Sequence, residues 1–87
     1  MEPLQRVTAP TLDVLAILLS AEADPIFGLE IMKRSGRPSG TIYPILERLE
    51  RQGWITSTWE ENTTTQLHRR RVYTFTPEGA AAARALL

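Results

Sequence analysis

The chain has no cysteine and a single histidine among its 87 residues. Without thiols it can build neither a disulfide framework nor a thiolate metal site. The one histidine, His68, has no carboxylate placed by a recognisable motif to orient it for acid–base work, and it reads as a plain loop residue. The string Ser35-Gly36-Arg37-Pro38-Ser39-Gly40 carries two spaced glycines but lacks the Gly-Lys-Ser/Thr ending of a phosphate loop. Glu47 with Glu50, and Glu60 with Glu61, read as solvated faces and not as catalytic pairs. These absences argue against an enzyme and imply neither a cofactor nor a metal. Long apolar runs are missing too. The longest, Val14 to Leu19, falls far short of the roughly 20 residues that cross a bilayer. No basic segment followed by an apolar stretch marks a signal peptide. A cytoplasmic protein with no membrane partner is expected.

Net charge is also lacking: ten Lys and Arg balance ten Asp and Glu. A zero sum alone would argue against nucleic acid, but the charges are segregated. Residues 1–30 hold Arg6 against five acidic residues, whereas residues 31–71 hold eight Lys and Arg against four acidic residues. Fields follow local charge, so the middle of the chain can attract phosphate. The length suits one domain, residues 1–87. A domain of this size buries only about 60–65% of its unfolded surface, so a second subunit would add needed stability.

What is present is a sequence of short elements. Thr8-Ala9-Pro10-Thr11 predicts a helix start, with a capping threonine and a first-turn proline. The helix that follows, to Ala21, is apolar on most sides, which places it in the core, at a subunit interface, or both. A second helix is predicted over Ile26–Ser35, with Gly28 allowing close approach of a neighbouring backbone. Ser35-Gly36-Arg37-Pro38 makes a tight turn into a third helix.

That third helix is the most informative element. Ile42, Ile45, Leu46 and Leu49 form one apolar stripe at i, i+3, i+4, i+7 spacing. Thr41, Tyr43, Pro44, Glu47 and Arg48 fall on the other face. A helix pinned from behind with hydrogen-bonding and stacking groups at its front suits the major groove of DNA. A proline at position 44 costs the Gly40 carbonyl its helical partner, and serves either to set a bend or to present a rigid surface beside Tyr43. Gly53 ends the helix.

Trp54–Glu60 and Arg70–Thr76 are rich in β-formers and flank a polar stretch, predicting a two-stranded hairpin with a long tip. Tyr73 and Phe75 share its core face by period two. Trp54 and Trp59 read as core and hairpin packing before they read as a ligand pocket. Thr76 caps a last, alanine-rich helix. The fold class is therefore mainly α with a small β-hairpin: a winged helix-turn-helix, ordered helix, helix, helix, strand, wing, strand, helix.

Three strings, Leu12–Leu18, Ser39–Ile55 and Arg70–Gly79, resemble the PadR family of bacterial transcriptional regulators. Gly40-Thr41-Ile42-Tyr43-Pro44 is a fairly specific match; the Tyr-x-Phe-Thr-Pro-Glu-Gly run from Tyr73 to Gly79 is shared with other winged-helix regulators. The resemblance implies a dimeric repressor on palindromic double-stranded promoter DNA. It implies that Ser39, Gly40, Thr41, Tyr43 and Pro44 meet the DNA, that Arg48 lies near the backbone, and that Arg69, Arg70 or Arg71 of the wing reaches phosphate or the minor groove. The alternative for these three arginines is pairing with Glu60 and Glu61 across the hairpin. Arg37, in the turn, joins this candidate set. Family members carry a longer C-terminal helical region that builds the dimer and often an effector pocket. Here eleven residues follow Thr76, so the resemblance is to a minimal member, with residues 77–87 expected to help dimerisation and no effector identified. A winged helix used for protein binding, or as a DNA-architectural or recombination accessory factor, is the alternative.

Overall fold

The computed structural model describes residues 1–4, 6–21, 24–60 and 70–87. The first helix, α1 (Ala9–Ser20), begins as its sequence predicts. The Thr8 hydroxyl accepts from the Thr11 amide, and Pro10 sits in the first turn, where no N–H is needed. Val14, Leu15 and Leu18 are fully buried, while Leu12, Ile17 and Leu19 are half-buried.

The second helix is shorter than its sequence suggests. Ile26–Phe27 form a two-residue strand, β1, and the helix α2 runs only over Gly28–Ser35. Ile26 pairs with Tyr73 and Phe27 with Val72, so these two residues close an edge of the wing sheet. The gain of ladder hydrogen bonds with a distant strand outweighs one more helical turn after Pro25, and two residues are too few to show a period. Gly36, at φ 70°, ends α2 in the left-handed conformation and turns the chain into α3 (Ser39–Arg51).

The predicted stripe of α3 is realised: Ile42, Ile45, Leu46 and Leu49 are all buried. Gly53, at φ 85°, terminates it. The Trp54 amide donates to Leu49 O at 2.9 Å and the Gly53 amide to Glu50 O at 3.1 Å, a Schellman stop that leads straight into the sheet. The wing strands are β2 (Ile55–Trp59) and β3 (Arg71–Phe75), antiparallel, with Ser57 opposite Tyr73. The sheet order is β1-β3-β2. Tyr73 is buried, and Phe75 is half-buried against the same core. Trp54 is a core residue whose indole donates to Glu2 O at 2.7 Å. Helix α4 (Pro77–Leu86), capped by Thr76 as expected, packs on α1 and β3. No helix among the described residues is long and apolar enough to cross a membrane.

Candidate nucleic-acid interface

The core holds α3 by one face and leaves its front open. Ser39, Gly40, Tyr43, Pro44, Glu47 and Arg48 are exposed, whereas Thr41 lies half-buried on the flank. Its position, 100° from Gly40 toward the apolar stripe, accounts for that. At Gly40 an added Cβ would meet nothing within 4 Å, so no internal packing demands glycine there. No side chain caps the first turn, where the Thr41 and Ile42 amides share the Pro38 carbonyl.

Tyr43 is placed by a residue on another helix. It remains 41% exposed, yet its ring leans on Gly28. A Cβ built on Gly28 would lie 3.0 Å from Tyr43 Cε1, 3.1 Å from its hydroxyl and 3.3 Å from Tyr73 Cε2. The close approach expected at Gly28 is therefore to two tyrosine rings, not to a backbone. Burial, with a smaller contribution from the Tyr43 hydroxyl, pushes the Tyr73 phenol above the ordinary tyrosine range.

The arginines divide by partner. Arg37 is drawn back to α1, with Nε at 2.9 Å and Nη2 at 2.8 Å from Asp13 Oδ2, so it ties the turn to the first helix. Arg70 grips Glu60 with two hydrogen bonds, at 2.9 and 3.0 Å, and lies 3.9 Å over the Phe27 ring. Those bonds hold the Glu60 carboxyl below the usual carboxylate range. Their contribution is thus present above the ordinary carboxylate pKa and is lost as pH falls through the lowered Glu60 value. Arg71 donates to Ser57 Oγ at 2.9 Å, and Ser57 donates to Glu50 Oε2 at 2.7 Å. Arg71 Nη2 itself stands 3.9 Å from the same oxygen. This chain fastens the wing base to the end of α3. The sequence offered only a weak sign of it, the polar Glu50 beside an apolar stripe. Arg69, His68, Glu61 and the tip at 62–66 lie outside the described residues.

The structure thus brings Ser39, Gly40, Tyr43, Pro44 and Arg48 onto one open face, with Thr41 at its margin. Arg37, Arg70 and Arg71 have internal carboxylate partners, which any phosphate would have to displace or share.

A sequence model of the transcriptional regulator PadR-like family matches residues 14–85. The chain belongs to that family. Its members are DNA-binding transcription regulators and not enzymes, and that is the function class of this PadR-like regulator. It is similar to a PadR family transcription regulator of Clostridium difficile, with a TM-score of 0.75 and 26% identity over 91% of this chain and 83% of that one. A candidate DNA-binding protein of Ralstonia eutropha matches with a TM-score of 0.75 and 26% identity, over 94% of this chain and 99% of that one. Staphylococcus aureus MepR in its DNA-binding conformation shares the fold, with a TM-score of 0.74 at 23% identity, over 91% of this chain and 55% of that one. No curated protein matches the chain.

Gly28→Ala tests the placement of Tyr43. The added methyl must displace one ring or the other by a few tenths of an ångström. The expected result is a domain that still folds, with its melting temperature lowered by a few degrees, about what 1 kcal/mol produces in a domain this small. Tyr43 ring resonances should shift with it. Unchanged Tyr43 shifts in Gly28→Ala would show that Gly28 does not set the ring's position.

Proposed function

We propose that this PadR-like regulator is a repressor that binds a palindromic site as a homodimer, with the first half of α3 in the major groove and the wing on the adjacent backbone. The observation that supports it most is the front of α3. Ser39, Gly40, Tyr43 and Pro44 stand together and exposed on a helix whose four apolar residues are all buried. Gly40, with empty space before it, lets a DNA backbone or base edge come close. Occupying such a site occludes a promoter, and a two-fold site calls for a two-fold protein.

The dimer draws support from a second surface. Leu19, Phe75, Pro77 and Ala80 line a groove between α1, β3 and α4. Leu86 and Leu87 stand close by in sequence, 44% and 54% exposed. A second copy would cover this apolar area, and the small side chains of α4 let its backbone approach. The domain comprises residues 1–87 in this reading, with α4 serving the dimer.

A gel shift with DNA from upstream of its own gene, against scrambled competitor, is expected to give a specific retarded species. Sedimentation at micromolar concentration should give a dimer. A monomer that DNA does not change would sink the dimer. Loss of all preference over scrambled DNA would leave an architectural role, and no duplex binding at all would leave protein binding.

A further inference from the structure

Among the described residues, Arg34, Arg37, Arg70 and Arg71 each face a carboxylate. Three other arginines meet at one cleft. Arg6 comes from the segment before α1, and Arg48 and Arg51 come from the last turn of α3; Glu2, Leu4 and Gln52 complete the lining. No salt bridge or hydrogen bond occupies any of the three guanidinium groups among the described residues, and Glu2 is the single carboxylate of the cleft. Glu2 is held just past the C-terminal end of α3 by two hydrogen bonds to its main chain. The Glu2 amide donates to Gln52 O at 3.0 Å, and Glu2 O accepts from the Trp54 indole at 2.7 Å.

Arg48 and Arg51 gain from the negative end of the helix dipole. Arg6, on a separate segment, has no such reason to be there, and three like charges around one cleft repel each other. An anion between them relieves that repulsion, and guanidinium forks match phosphate oxygens in pairs. The cleft is also in the right place. From Tyr43 to Arg51 is about 12 Å along the helix axis, at about 1.5 Å per residue. The major groove is about 12 Å wide. About two turns beyond Tyr43, the end of α3 lies outside the part that enters the groove, within reach of the backbone that borders it.

We propose that Arg6, Arg48 and Arg51 form a clamp for backbone phosphates flanking the groove that α3 enters. This rests on the duplex-binding reading above and adds Arg6 and Arg51 to it. The clamp reads no sequence; it sets position and adds affinity.

The test uses the full chain and the double variant Arg6→Ala/Arg51→Ala, on fluorescent duplexes of the upstream sequence and of random sequence, across about 50–200 mM salt. Both side chains are exposed, so the fold is not at stake, and equal circular dichroism melts confirm it. Removing one arginine–phosphate pair flattens the slope of log affinity against log salt by about 0.9, so a drop near 1.8 is expected on both duplexes. Arg6→Lys/Arg51→Lys should keep most of the slope. A parental slope in the alanine double variant overturns the clamp while leaving duplex binding intact. Failure of the parent to bind either duplex overturns both. Inorganic tripolyphosphate is the third arm. If the parent binds it without DNA, the double variant does not, and the DNA slopes agree, the cleft holds a free polyanion and the DNA clamp is wrong.

Discussion

Gly79→Ala is expected to strip this small domain of about 3 kcal/mol or more of its stability. Helix α4 sits directly on the main chain where α3 hands over to β2. A Cβ on Gly79 would run into the Trp54 carbonyl, its carbon 2.7 Å away and its oxygen nearer still. The obstacle is backbone, so no rotamer can relieve it. Thr76 makes the docking tighter. Its amide donates to Trp54 O at 3.0 Å, its hydroxyl lies 2.9 Å from Gly53 O and 3.1 Å from Trp54 O, and that same hydroxyl accepts from the Gly79 amide at 2.9 Å. To admit a methyl, α4 must lift off, breaking these bonds and uncovering Ala83 and the α1 face beneath it. Overpacking alone costs about 1–3 kcal/mol, and the loss of burial and hydrogen bonds adds to it. A domain of this size holds only about 4–13 kcal/mol in total. A loss of about 3 kcal/mol or more is expected in urea unfolding. Gly40→Ala is the control, because nothing lies within 4 Å of its added carbon. It should raise stability by about 0.5–1 kcal/mol, as glycine to alanine does inside a helix. A Gly79→Ala melt within a few degrees of the parent would refute the docking argument.

Tyr43→Ala is expected to weaken specific binding by about 1–3 kcal/mol, comparable to one good base contact and roughly a 5- to 150-fold rise in Kd. Affinity for random duplex should change little, since the group removed carries no charge. Tyr43 is exposed at the front of α3, so the variant should fold. The structure supplies a finer check. Gly28→Ala presses on Tyr43 at the front of α3 and on the buried Tyr73, so once Tyr43 is alanine, adding it should cost little further affinity. Full operator affinity in Tyr43→Ala would remove this residue from the reading set, whatever the other contacts do.

These two variants probe different kinds of information. The Tyr-x-Phe-Thr-Pro-Glu-Gly run announced a capped helix after a strand, and the cap was legible because it is local: Thr76 and Gly79 are three residues apart. That Gly79 must be glycine was not legible, because the obstructing carbonyl belongs to Trp54, 25 positions earlier. Gly28 is similar. Its sequence neighbours suggested close packing, but the packed groups, Tyr43 and Tyr73, come from other elements.

By itself, the sequence determined whatever depends on residues within a helical turn or a strand period of one another. It specified the buried stripe Ile42, Ile45, Leu46 and Leu49, the exposed front with Tyr43 and Pro44, the glycine stops at Gly36 and Gly53, the hairpin and the winged-helix class. Periodicity and capping are short-range physics, and they were written in short strings. The tertiary structure alone decided what pairs across distance. It made Ile26–Phe27 a strand by offering them the open edge of β3. It brought Arg37 to Asp13 and Arg71 to Glu50, partners on other elements, whereas Arg70 with Glu60 is the local cross-hairpin pair; and it left Arg6, Arg48 and Arg51 lining one cleft. A charge's partner is set by whichever carboxylate the packed backbone brings within reach, and no spacing along the chain encodes that.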